Sequence, residues 1–263
     1  MEITLLQFFL GLLLVIVPGY ILYHFGSHLL AKAMRAWVKM LVILTVFGAI
    51  LYEVLALNNV LVTLSFAILM VLCGALLTVS KAKLRLSQML IPVFTGMMGA
   101  TLVIGFYFLA LVVGFKNMLE ARYLIPVMGL LMGHLIMVNG NALHLYYVGL
   151  KHHGELYHYL LGNGATQMEA LNYLMRRAIE RAALPSLSNM GLIVVGVSPV
   201  VLWSMLMSGV GVVEAVAFQI LILMAFLCAS VVSVTITLVV SRRFLIDDYS
   251  QLKVEQKDEP EEE

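Results

Sequence analysis

The stretch VLVTLSFAILMVLCGALLTV, from Val60 to Val79, decides the class of fold. It holds 20 residues and no charge. A hydrocarbon core about 30 Å thick is crossed by roughly 20 apolar helical residues. In lipid only helices and closed barrels pair all their backbone groups, and barrel strands alternate polar with apolar side chains. This run does not alternate, so it reads as a transmembrane helix. Working outward, six further apolar runs flank it, at residues 5–24, 37–57, 90–115, 123–150, 187–209 and 216–240. Across all 263 residues the chain is 62% hydrophobic and 12% charged. The expected fold is all-α: a polytopic membrane protein with about seven transmembrane helices, residues 1–245, followed by an acidic tail at 246–263 that lacks the apolar content to fold.

The net charge of +1 excludes nothing about partners, but the placement of charge is informative. With seven crossings, fourteen of the sixteen Lys and Arg fall in one set of connections, and only Lys116 and Arg122 in the other. Under the positive-inside rule this puts the N-terminus outside and the C-terminus in the cytoplasm. Cys73 and Cys228 both lie within apolar runs and imply no disulfide framework. Glu2 stands where a secretory leader would be basic, so the first run reads as a retained span.

One cytoplasmic connection, residues 151–186, is too polar to span and too regular for a plain loop. The sequence GNG at residues 162–164 breaks any incoming helix. Thr166 and Glu169 then match a capping box, in which each side chain satisfies the other's backbone amide. Met168, Leu171, Leu174, Met175, Ala178, Ile179 and Ala182 follow on one helical face, and Arg176 with Glu180 forms an i, i+4 pair on the other. Pro185 is expected to stop the pattern. The reading is a helix, a break and a second helix lying at the cytoplasmic membrane surface, shaped to meet a partner. Resting on anionic lipid, or packing on the protein's own loops, are the plainer alternatives.

Four segments carry a family resemblance: IPVMGLLMGH (Ile125 to His134), LGNGAT (Leu161 to Thr166), RRAIERAALPSL (Arg176 to Leu187) and SGVGVVEAVAFQI (Ser208 to Ile220). Together, at their mutual spacing, they resemble the FetB-like iron-export permeases, the membrane subunits of a small class of ABC transporters. The chain departs from that pattern at His134, Ser188, Gly191, Val200, Gly211 and Val212. The resemblance implies a homodimer of permeases in a cell membrane, the bacterial inner membrane, working with a separate cytoplasmic ATPase. It implies a coupling element at Gly162, Gly164, Ala165, Thr166 and Glu169, and export of a metal ion such as iron or of a small solute. No G-x-x-x-x-G-K-[ST] loop occurs in the chain, so ATP is expected on the partner and no cofactor on this chain. Nucleic acid is not an expected partner.

The fifth apolar run supplies the candidate substrate path. Gly129 and Gly133 form a G-x-x-x-G pair that would let another backbone approach. His134, Asn139 and Asn141 bring polar groups to membrane depth, where they either line a path or hydrogen-bond neighbouring helices. Met132 and Met137 are soft-ligand candidates, although methionine equally fills irregular gaps. Pro199, near the middle of the sixth run, reads as a kink and a possible hinge. The metal question stays open: His152, His153 and His158 lack helical ligand spacing. The competing classes are an intramembrane enzyme, for which no catalytic motif is present, and a carrier or scaffold working without an ATPase. Proton coupling normally uses buried carboxylates, and the span centres have none.

Overall fold

The computed structural model describes residues 4–25, 29–152 and 154–245; His153 and the tail at 246–263 lie outside the described residues. The chain divides after Asn58 into two compact units. The first holds α1 (Leu5–Leu12), α2 (Ile16–His24) and α3 (Leu29–Leu57), with one 3-10 turn between the first two. Thr4 and Gln7 cap α1 reciprocally, and the ring of Trp37 lies against Gly19. Almost all other side chains of this unit are exposed, as suits helices whose solvent is lipid.

The second unit contains α4 (Val60–Lys81), α5 (Leu86–Ala100), α6 (Phe106–Val112), α7 (Ala121–His152), α8 (Gly154–Gly162), α9 (Gln167–Gly191), α10 (Val200–Met207) and α11 (Val212–Leu245). A π-helical turn, Thr101–Gly105, links α5 and α6 into one span. No β-strand occurs among the described residues. Six helices there are long and apolar enough to cross a membrane. The fold is therefore all-α and polytopic.

α7 is the axis of this unit. Its 32 residues extend about 48 Å at 1.5 Å per residue, well beyond a hydrocarbon core. Leu124, Leu131, Leu135, Leu143, Tyr146 and Leu150 are all buried along it. Cross-contacts fix the directions of its neighbours. His134 stacks on Phe226 and Asn139 bonds Ser233, so α11 runs parallel to α7. His134 also meets Ser186 while Gly149 meets Leu174, so α9 runs antiparallel. Met70 meets Gly129 and Lys81 meets Gly140, so α4 is parallel.

Three expectations change. The amphipathic segment is no surface helix: α9 packs along α7 and α11, burying Leu171, Leu174, Ala178 and Ala182. Pro185 does not end it, because the missing amide removes only one ladder bond and the next residue, Ser186, is buried and bonded to His134. The run 187–209 is not one helix. α9 ends at Gly191, residues 192–199 are irregular with Val194 at φ +73°, and α10 has eight residues. Pro199 stands at the N-cap of α10, not at a mid-helix kink.

The close helix–helix approach also lies elsewhere than expected. Gly133 has no neighbour within 4 Å of an added Cβ, and Gly129 would meet only the tip of Met70. At Gly96 of α5 an added Cβ would lie 2.6 Å from the Ser233 carbonyl oxygen and closer still to the Thr237 hydroxyl. Backbone cannot give way as a flexible side chain can, so overpacking here costs about 1–3 kcal/mol. Gly96→Ala is expected to lower the unfolding free energy by about 2 kcal/mol, while Gly133→Ala should leave it unchanged or raise it. Unfolding of the purified protein in mixed micelles measures both; equal stability of the two variants would contradict the packing described.

Candidate transport site

Two polar clasps tie α7 to its neighbours. In the first, the His134 Nε2 and Ser186 Oγ share a hydrogen bond of 3.0 Å, and the imidazole stacks on Phe226 at 4.6 Å and 8°. One side chain thereby joins three helices. In the second, Asn139, fully buried, donates from Nδ2 to the Ser233 hydroxyl at 2.6 Å. Among the described residues its Oδ1 has no partner, nor has the buried Thr237 hydroxyl. The helix continues undisturbed through Asn139 and Gly140, whose outer face is covered by the stem of Lys81.

The other sequence candidates do not join these two. Met132 is buried, with its sulfur 3.2 Å from an added Cβ at Gly74 on α4. Met137 is exposed and accepts from the Lys81 ammonium at 2.7 Å. Asn141 is exposed on a further face of α7. Pro199 is buried but belongs to the α9–α10 gap. The candidates thus line no single cavity. Among the described residues no group of three His, Cys, Asp or Glu could hold a metal ion.

Sequence reading missed the seam on α11. Ala225, Ala229, Ser233, Thr237 and Ser241 recur every fourth residue, and all are buried. Small residues at this spacing let helices approach and let hydroxyls bond across them. The period was legible, but the surrounding valines and leucines made the run look uniformly lipid-facing. Lys81, entered only in the charge count, also proves to be a packing element.

At the other end of α9 the predicted turn chemistry is present. α8 closes with the Ala165 amide donating to the Leu160 carbonyl and the Gly164 amide to the Leu161 carbonyl, a Schellman arrangement that requires a left-handed residue. Gly164 supplies it at φ +85°. Gly162 is the last residue of α8, and Ala165 is half-buried beyond the turn. Thr166 then caps α9, its hydroxyl accepting from the Glu169 amide at 3.3 Å. The Glu169 carboxylate accepts from the Thr166 amide at 2.8 Å and from its hydroxyl at 2.8 Å. These bonds hold Glu169 below the usual glutamate range. Leu156 and Tyr159 of α8, with Tyr173 of α9, are exposed at this corner, and Arg177 lies over the Tyr173 ring at 5.7 Å.

The bundle, its polar clasps and its capped corner define a multi-span helical membrane protein. The chain belongs to the uncharacterised protein family UPF0014, whose model matches residues 5–246. No curated protein and no solved structure matches it. Family membership and the multi-span architecture fit a membrane permease.

The Glu169 bonds predict a pH dependence. A carboxyl whose folded pKa is depressed stabilises the fold above its unfolded pKa, and that contribution is lost as pH falls through the folded value. The first amides of α9 should therefore lose hydrogen-exchange protection, after correction for intrinsic rate, as pH drops below the ordinary 4.5. Glu169→Gln should flatten this response; an unchanged profile would remove the carboxylate from the cap.

Proposed function

We propose that the chain is the membrane-spanning permease subunit of an ABC transporter, exporting a metal ion such as iron or a small solute with ATP hydrolysed on a separate subunit. It works as a homodimer in the bacterial inner membrane, with its N-terminus outside and the α8–α9 corner in the cytoplasm. The observation that carries this reading is α9 itself. One helix of 25 residues runs from a rigid, solvent-facing corner to the His134–Ser186–Phe226 clasp inside the bundle. At 1.5 Å per residue the stretch from Gln167 to Ser186 is a lever of about 30 Å. Movement of a partner docked at Leu156, Tyr159 and Gly164 is thereby delivered to membrane depth without an intervening hinge. Gly162, Ala165, Thr166 and Glu169 keep the corner stiff. His134 and Asn139 register the movement by exchanging helix partners, and the methionines Met132 and Met137 allow repacking at small cost.

The test is purification of the tagged chain from its native membrane in mild detergent. A stoichiometric ATPase is expected in the preparation, and Gly164→Val should retain it while severing ATP hydrolysis from transport, since only glycine adopts the required left-handed backbone without strain. Absence of any ATPase across mild detergents would end this reading.

A further inference from the structure

Between Arg122 and the level of Lys81, which meets Gly140 eighteen residues on, α7 runs about 27 Å without a charged residue, so the hydrocarbon core begins near its first turn and the gap between α9 and α10 lies within it. Ser186 is level with His134, thirteen residues after Ala121, or about 20 Å from that end of the bundle. α9 ends five residues nearer to it, at Gly191, hence about 12 Å inside. The first turn of α10 is equally deep, because the Leu202 amide donates to Gln219 at 3.1 Å. Gln219 is seven residues into α11, about 10 Å from the same end. The turn at Ser208 and Gly209 joins the far end of α10 to the start of α11. α10 thus continues in the direction of α9, and α9, gap and α10 make one interrupted crossing.

Irregular backbone at such depth is tolerated only against protein or water. Here the bonds inside the gap are few: Val194 donates to the Val197 carbonyl, while Gly196 and Val197 both donate to Leu192. The amides of Val195 and Ser198 find no acceptor among the described residues, and the side chains of Ser188, Asn189 and Ser198 find no partner there. Ser188 and Ser198 are exposed, and Val195 is 93% exposed. Unpaired polar groups at membrane depth mark aqueous pathways. No charged residue occurs between Arg181 and Glu214, so the donors and acceptors of this segment are all neutral.

Resting on the permease reading, we propose that residues 192–199, with Ser188 and Asn189, form one wall of a water-filled path for a small hydrophilic solute, held by neutral hydrogen bonds. Amides, carbonyls and hydroxyls exchange readily for the hydration of a polyol or an oxyanion. A bare iron ion would want imidazole, thiolate or carboxylate ligands, and this wall offers none.

The test uses the full chain carrying Cys73→Ala and Cys228→Ala, with Val195→Cys or Ser198→Cys added singly. Leu69→Cys is the control, exposed on α4 and, nine residues after Val60, about 13 Å deep. Sealed membrane vesicles of both orientations receive an impermeant sulfonatoethyl methanethiosulfonate, and the mass shift is followed. Both gap variants should react at least about tenfold faster than the control, as water-lined positions do. The trimethylammonium reagent, normalised to a free thiol, should show no marked advantage. Reaction of both variants at the control rate overturns the path, as does a disulfide between two copies at Val195→Cys without labelling. A strong preference for the cationic reagent overturns the neutral wall. The same preparations are assayed for the co-purifying ATPase. Labelling without an ATPase leaves the path standing and removes the ABC partner, while an ATPase without labelling does the reverse.

Discussion

Lipid offers no hydrogen bonds, and the organisation of this protein follows from that constraint. Each backbone group in the bilayer must be paired inside the chain, so the apolar runs become helices with little help from propensity. Hydrophobicity does not then hold the helices together, since lipid is as apolar as leucine; close packing and a few hydrogen bonds do. Gly96 against Ser233 and Thr237 is the tightest such contact found here. It sets α5 against α11, and α11 presents the seam on which Asn139 of α7 is anchored.

α9 joins the two environments. Its first turns carry charge and a carboxylate cap, its middle packs small residues against α7, and its end lies beside an imidazole. That gradient explains why it is the most polar of the long helices and yet is not peripheral. A helix locked at one end by a Schellman turn and a capping box, and at the other by a three-helix clasp, moves as a body. The transport reading draws its force from this mechanical continuity.

The all-α membrane class was legible, because length and apolarity alone exclude barrels and soluble folds. The capping box at Thr166 and Glu169 and the turn at Gly164 were legible too, since they are local chemistry with fixed spacing. What failed was non-local. Gly129 and Gly133 carry the spacing of a packing motif, but only the neighbouring helix decides whether a glycine is used, and Gly96 is used most tightly. Pro185 was read by the habits of isolated helices, whereas burial of Ala182 and Ser186 holds α9 together across it. The run 187–209 is uncharged and mostly apolar, and apolarity does not distinguish a continuous span from an interrupted one. Gly196 and Pro199, within a row of valines that resist helix, were the local sign of the interruption. Of the candidate residues, Asn139 is buried and His134 half-buried, each bonded to a neighbouring helix, while Met132, Met137, Asn141 and Pro199 lie on other faces, which only the packing could reveal.

The claim on which the account turns is that the sixth apolar run is two helices separated by irregular backbone inside the membrane. Hydrogen–deuterium exchange of the intact protein in lipid nanodiscs reads this directly. Fast exchange at Val195 and Ser198, between protected amides at 178–184, 186–190 and 203–207, is the predicted pattern. Uniform protection from 178 to 207 would mean a continuous span, and would contradict the interrupted crossing and the path built on it.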